Sequence, residues 1–133
     1  MYFGSNINAP ENEAYNYDIY KSEWDGQEFL KAKALPSEVN TNRYEADIFI
    51  APDESYMIFC AKRREGLGQG DLYISFKEKD GKWSKSKNMG ARINTTEHEL
   101  CPFVTSDGKY LLFTSKKDIY WVDAKILESY RNQ

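Results

Sequence analysis

Short runs of apolar residues, separated by polar turn sequences, recur along the 133-residue chain. The two most apolar runs are residues 56–61 and 110–115, in which nearly every position is apolar. We therefore expect both faces of these two strands to be covered. A less regular run precedes each of them, at 46–50 and 100–104, and the connections read PDES and SDGK. Such turn sequences predict two antiparallel hairpins.

Two further strand-like pieces follow each hairpin, and their apolar content decreases along the chain. The first piece begins with Asp-aliphatic-Tyr, at Asp18, Asp71 and Asp118, spaced 53 and 47 residues apart. The second piece, at 29–33 and 83–87, is polar with alternating lysines, which is typical of an edge strand that meets water. After Val122 the pattern changes to a short helix whose apolar face carries Ile126, Leu127 and Tyr130.

These pieces form an internal repeat. Residues 37–62 align with residues 91–116 at a constant offset of 54, and 8 of the 26 aligned positions are identical. Chance would give about two identities, and a period near 50 residues is typical of propeller blades. The pattern predicts one all-β domain over 1–133, with repeat parts at 2–36, 37–90 and 91–123 and a C-terminal tail at 124–133. Each full part would be a four-stranded antiparallel sheet.

The motif PDESYMIF at 52–59, followed by GQGDLY, DGKW and INT, resembles the WD40-like β-propeller repeat of the TolB type. The stretch SDGKYLLFTS at 106–115 matches the same motif, and the resemblance covers about residues 2–122. It implies propeller blades, but the ten strand-like pieces make only about two and a half of them. A longer propeller, or a ring completed by several copies of the chain, is the corresponding expectation. The resemblance also favours a periplasmic or secreted location.

Composition narrows the classes of function. The net charge of −3 and pI of about 5.3 argue against nucleic acid as a partner. The chain contains no run of 18 apolar residues, so the sequence predicts no membrane span. The first six residues lack the features of a signal peptide, so either the protein is cytoplasmic or an upstream segment is missing. Cys60 and Cys101 both lie in apolar stretches and are interpreted as buried free thiols, with a disulfide as the alternative in an exported protein.

Candidate chemistry is sparse, and no cofactor or metal signature is present. His98 is the only histidine, and it aligns with Tyr44 in the repeat, which favours an exposed loop residue over a metal ligand. Glu45 and Glu99 recur at the start of equivalent strands. They could act as a general acid and base, but a structural role within the repeat explains them better. The Gly-rich stretch 66–70 after Arg63 lacks the P-loop pattern and is interpreted as a solvated loop.

The leading hypothesis is a non-catalytic binding or scaffold module that presents its loops to a protein, peptide or glycan partner. The residues expected to contact the partner are Arg43, Arg63, Arg64, His98 and Glu99. Turn-organising roles are expected for Asp18, Asp53, Asp71, Asp107, Gly108 and Asp118. The alternatives are a C-terminal fragment of a propeller hydrolase or lyase, whose active site lies on other blades, and a purely structural, self-assembling half-ring.

Overall fold

The computed structural model describes residues 1–13 and 15–131, which form three antiparallel sheets and one short helix. Sheet 1 contains β1 (Tyr2–Ser5), β2 (Asp18–Lys21) and β3 (Lys33–Ala34). Sheet 2 contains β4 (Glu45–Ile50), β5 (Tyr56–Ala61), β6 (Asp71–Phe76) and β7 (Lys87–Asn88). Sheet 3 contains β8 (Leu100–Val104), β9 (Tyr110–Ser115) and β10 (Asp118–Asp123), and α1 (Ile126–Arg131) follows. The prediction of an all-β chain with a short C-terminal helix is confirmed.

The two polar edge strands lie later in the chain than the lysine alternation predicts. Instead of 29–33 and 83–87, the paired segments are the two-residue strands β3 and β7. The predicted segments close the preceding turns instead, through single bridges from Trp24 to Phe29 and from Lys77 to Trp83. In the second of these turns, the Ser75 hydroxyl donates to the Ser84 carbonyl at 2.6 Å. Side chains thus make hydrogen bonds with backbone groups that a regular strand would use for pairing. The edge strand therefore begins later in the chain.

Sheet 2 is covered on both faces. Along β5, Met57, Phe59 and Ala61 belong to a core shared with Ile19 of sheet 1. The alternate residues Ile58 and Cys60 belong to a second core, shared with residues of sheet 3 and of α1. Since successive side chains of a strand point to opposite faces, a strand between two sheets must be apolar throughout. The prediction of two covered faces is confirmed for β5.

Sheet 3 is covered on one face only. Leu111 and Phe113 of β9 enter the core shared with sheet 2. All of β10 except Val122 is exposed. The helix α1 buries Leu127 and Tyr130, and the Tyr130 hydroxyl donates to the Met89 carbonyl at 2.6 Å. Within the described residues, no helix is long and apolar enough to cross a membrane.

Two asparagines hold the inter-sheet loops in the same way at positions 54 residues apart. The Asn40 amide accepts a hydrogen bond from the Ile19 backbone N–H at 2.8 Å and donates to the Ile19 carbonyl at 3.0 Å. The Asn94 amide makes the same pair of bonds with Leu72, at 2.8 and 3.0 Å. Each asparagine therefore pairs like a strand residue with the middle of a neighbouring sheet. These bonds position the β3–β4 and β7–β8 loops at one end of the molecule.

Candidate functional site

Four loops meet around an open groove of about 520 Å³, called here the loop-end groove. The β1–β2, β3–β4, β5–β6 and β7–β8 loops all contribute to it. Its lining residues are Glu13, Tyr15, Asn16, Asn42, Arg43, Tyr44, Lys62, Gln69 and His98. Two of the residues predicted to contact a partner, Arg43 and His98, thus lie in one groove.

Aromatic rings form one wall of this groove. The Tyr44 ring meets the Tyr17 ring edge to face at 5.9 Å and the His98 ring at 6.3 Å between centroids. Tyr15, by contrast, is 87% exposed. Packed rings present a rigid surface, and an exposed tyrosine offers apolar area together with a hydroxyl. Such a wall suits recognition of a partner at small cost in conformational entropy.

Cationic side chains stand around the groove without a carboxylate partner. In the described part of the chain, Arg43, Lys62 and Arg64 have no acidic group within ion-pair distance. Arg43 and Arg64 also line an adjoining depression of about 380 Å³. Glu13 and Glu65 line the two depressions as well, so cations exceed acids there in a protein whose net charge is −3. The loop end is therefore locally positive, which favours an anionic ligand.

Arg63 is a predicted contact residue with a different role in the structure. Its side chain is only 8% exposed. The guanidinium donates to the Val39 carbonyl at 2.6 Å, to the Ser86 hydroxyl at 2.9 Å and to the Glu45 carboxylate at 3.4 Å. It also stacks over the Tyr73 ring at 4.3 Å. Arg63 thus ties the loop before β4 to sheet 2, and its donors are committed to the fold.

Glu45 and Glu99 are fully buried, so neither presents a carboxylate to a partner. The Glu99 carboxylate accepts hydrogen bonds from the Thr95 backbone N–H at 3.0 Å, the Thr95 hydroxyl at 2.8 Å and the Ser115 hydroxyl at 2.7 Å. Glu45 makes the corresponding pair of bonds with Thr41, at 3.0 and 2.7 Å. This geometry fits the structural role, and it does not fit direct contact by Glu99 or acid–base work by the pair.

Burial raises the pKa of the Glu45 carboxyl above its ordinary value. The hydrogen bonds from Thr41 and the charge of Arg63 act in the opposite direction, but they do not outweigh the loss of solvation. The cost of keeping this carboxylate charged is therefore only partly offset by its partners.

An internal carboxylate organises the Gly-rich β5–β6 loop. Asp71 accepts hydrogen bonds from the Leu67 N–H at 2.6 Å, the Gly68 N–H at 3.0 Å and the Asn88 amide at 2.7 Å. A side chain at Gly68 would meet the Glu97 carbonyl, and one at Gly70 would meet the His98 ring. Because Gly68 and Gly70 have no side chains, the β5–β6 loop can lie directly against the β7–β8 loop. Its amides at 67 and 68 are occupied and do not cradle an external anion.

Turn roles are seen for most of the predicted aspartates. Asp53 accepts from the Ser55 N–H at 3.0 Å, Asp118 from the Ile119 N–H at 2.8 Å, and Asp107 from the Lys109 N–H at 3.1 Å. Gly108 has the left-handed φ of +71° that its turn requires. Asp18 differs, because its Oδ1 atom is buried without a hydrogen-bond partner among the described residues. Burial raises the pKa of this carboxyl.

The two cysteines lie in different environments, and both are free. Cys60 is buried, with its Sγ 3.5 Å from His98 Nε2, and burial raises the pKa of its thiol strongly. A thiol that resists ionisation is a poor nucleophile in spite of the neighbouring imidazole. Cys101 is exposed, so the prediction that both thiols are buried is wrong for it. Within the described residues, no cluster of three histidine, cysteine or acidic side chains could hold a metal ion.

Sequence reasoning missed seven of the nine groove residues, namely Glu13, Tyr15, Asn16, Asn42, Tyr44, Lys62 and Gln69. One signal for Tyr44 was available, because it aligns with His98 at the offset of 54 and both precede the buried glutamates. Lys62 also carried a signal, because it is identical to Lys116 in the aligned repeat. Tyr15 and Gln69 carry no such signal, since they lie in loops of unequal length. A scan against models of known protein families finds no match, and a search of the curated proteins finds no relative.

Proposed function

We propose that the chain is a non-catalytic binding module of the β-propeller type, whose loop-end groove holds an anionic group of a protein, peptide or glycan partner. The observation that carries this proposal is a set of three cations, Arg43, Lys62 and Arg64, that have no acidic partner among the described residues and surround a groove with an exposed tyrosine. Arginine binds carboxylates through a planar fork, and tyrosine supplies apolar contact beside it. Rim charges of this kind steer an oppositely charged partner into place.

Recurring geometry supports the propeller part of the proposal. Each sheet carries one stacked aromatic pair on two neighbouring strands that are consecutive in the chain: Phe3 with Tyr20, Phe59 with Tyr73, and Phe113 with Tyr120. The interplanar angles of these pairs are 18°, 21° and 21°. Sheets that repeat the same internal contacts and pack face to face are expected of blades in the TolB-type repeat that the sequence resembles.

A binding role also fits the groups that could have performed chemistry. Glu45 and Glu99 are buried and fully engaged by Thr41, Thr95 and other donors of the fold. Cys60 is buried with a raised pKa. A catalytic group must lie within hydrogen-bond reach of the substrate. Because Glu45, Glu99 and Cys60 are buried, a substrate in the loop-end groove would contact none of them directly.

Two carboxylate-bearing probes test this proposal: a fluorescein-labelled hexaglutamate peptide and a labelled oligogalacturonate. We expect fluorescence anisotropy to detect binding of one of them, with an affinity that falls as salt is raised. The double variant Arg43→Glu/Arg64→Glu should weaken this binding by about tenfold or more, because it reverses two rim charges. Its melting temperature should stay that of the parent chain.

The matched control is Lys79→Glu/Lys85→Glu, which reverses two exposed cations outside the groove. Lys87 is unsuitable as a control because its ammonium donates to the Tyr130 carbonyl at 2.8 Å. Probe preference separates a peptide partner from a glycan partner. Binding that is lost in the control and retained in Arg43→Glu/Arg64→Glu would place the surface elsewhere, and the absence of binding to both probes would contradict the anionic ligand.

A further inference from the structure

Sheet 3 exposes a large apolar face on its side away from sheet 2, and only the Phe103 ring at its edge also meets a described ring of sheet 2, that of Phe49, at 5.7 Å. Phe103 is 53% exposed, Tyr110 43%, Ile119 67% and Trp121 65%. The Tyr110 and Trp121 rings meet edge to face at 5.2 Å, so they support each other's orientation. A contiguous patch of large aromatic and aliphatic side chains marks an interaction surface. We call these residues, together with half-buried Leu112, the sheet 3 outer face.

The chain itself shows what packs on a surface of this kind. The equivalent residues of sheet 2 lie 54 positions earlier in β4 and β5 and 47 positions earlier in β6. They are Phe49, Tyr56, Ile58, Leu72 and Ile74, and they pack in the core shared with sheet 3. Apolar residues in the same register are thus covered by another sheet in sheet 2 and largely exposed in sheet 3. The occupant that this face fits is a further apolar sheet face.

Charges around the face favour a second copy of the chain over a strongly acidic or basic partner. Its borders carry three lysines and three aspartates, namely Lys109, Lys116, Lys117, Asp107, Asp118 and Asp123. Lys109 and Asp107 already pair at 3.3 Å. A border with both signs in equal number can meet itself without net repulsion, whereas a partner of a single sign would gain no net attraction.

A head-to-tail arrangement would require a free outer face on sheet 1 of the next copy. That position is already filled, since Tyr20 is only 3% exposed and stacks on Phe3. The Tyr20 hydroxyl also accepts a hydrogen bond from the Asn8 amide of the β1–β2 loop at 2.9 Å. The other large apolar side chains exposed beside sheet 1, Trp24, Phe29 and Leu30, lie in the β2–β3 turn and not on a sheet face. Among the described residues, the counterpart that a second copy offers to the sheet 3 outer face is therefore the same face.

We propose that two copies of the chain associate through their sheet 3 outer faces about a two-fold axis. Trp121 and Tyr110 are the anchor side chains, because large aromatic residues carry much of the binding energy at protein interfaces. A self-complementary contact closes at two copies, as is usual for homo-oligomers. The interface lies apart from the loop-end groove, so its test does not depend on the anion binding proposed there.

Sedimentation velocity over a range of concentrations tests the proposal on the intact chain. We expect a reversible dimer of twice the 15.5 kDa chain mass. Trp121→Glu should shift the sample to monomer by at least tenfold in dissociation constant, because it places a charge in the interface. Trp24→Glu is the matched control, since Trp24 is also exposed but lies in the β2–β3 turn, and it should remain dimeric.

Circular dichroism melts of both variants should show that the fold is retained, as expected for exposed positions. Hydrogen exchange gives a second readout, in which the β10 amides of the parent chain become more protected as concentration rises and those of Trp121→Glu do not. A monomer at all concentrations, an assembly larger than a dimer, or a dimer that Trp121→Glu leaves intact would each overturn the proposal.

Discussion

Sheets 2 and 3 carry nearly the same pattern of residues, yet only sheet 2 is buried on both faces. Ile58 of β5 and Leu112 of β9 occupy equivalent positions 54 residues apart. Ile58 is fully buried against sheet 3, whereas Leu112 is half-buried on the sheet 3 outer face. Burial therefore depends on the neighbour that a sheet finds and cannot be read from the pattern of the strand alone.

The two sheets also differ in how they engage their buried glutamates. Arg63 follows β5 in a loop long enough to fold back onto Glu45. The equivalent residue, Lys117, lies in a two-residue turn with φ of +64° and is exposed. Its position is fixed by the tight β9–β10 connection, and the Ser115 hydroxyl bonds to Glu99 instead. Loop length thus decides whether the repeated carboxylate receives a charged or a neutral partner.

The largest loss of stability is expected at the equivalent positions of β5 and β9, where the covered face of sheet 2 can be compared directly with the outer face of sheet 3. Ile58→Ala should lower the free energy of unfolding by about 4 kcal/mol, because it leaves a cavity between two sheets. Leu112→Ala should cost about 1 kcal/mol in dilute solution, where its face meets water. Urea unfolding of the two variants measures both values. Equal losses of unfolding free energy at low protein concentration would mean that the two faces are equally covered in the single chain. A Leu112→Ala loss that grows with protein concentration would support the proposed dimer.

A somewhat smaller effect is expected from the arginine that ties the loop to sheet 2. Arg63→Ala should cost about 3 kcal/mol, because it removes several donors and leaves the buried Glu45 carboxylate without its cation. Lys117→Ala at the equivalent position should change stability little, since the residue is exposed in a turn. Thermal and urea denaturation of both variants provide the measurement. A mild Arg63→Ala phenotype would indicate that Thr41 alone satisfies Glu45.

The smallest effect concerns the pH dependence of stability. The pKa of Glu45 is raised by burial above its ordinary value of 4.5. A carboxyl that holds its proton more tightly when folded stabilises the fold at low pH, and this stabilisation is lost as pH rises through the window above 4.5. The parent chain should therefore lose stability relative to Glu45→Gln across that window.

Urea midpoints of the parent and Glu45→Gln, measured from pH 4 to pH 8, give this difference. Arg63→Ala should widen the window, because the charge of Arg63 lowers the pKa of Glu45. A difference that grows in favour of the parent as pH rises would show that the pKa of Glu45 is depressed in the folded protein instead.

The loop-end groove was only partly accessible from sequence. Arg43, Arg64 and His98 were predicted from their loop positions, and the structure places them around adjoining depressions. Arg63 and Glu99 belong to the same loops, but their side chains turn inward to hydrogen-bond partners distant along the chain. Residue type and loop position do not tell an exposed arginine from a buried one, because that depends on whether acceptors such as the Val39 carbonyl are within reach.

Local sequence patterns were sufficient to predict the central strands and the hairpin turns. Alternating and continuous apolar runs placed the central strands, and Asp107 with Gly108 specified a turn that the structure contains. These features depend on neighbours a few residues apart, so a repeat at a fixed offset reveals them. The local patterns did not show which faces are covered, where the polar edge strands begin or which cations lack an acidic partner among the described residues. Those properties arise from contacts between sheets and from loop lengths, such as the reach of Arg63 to Glu45 and the bare position of Trp121.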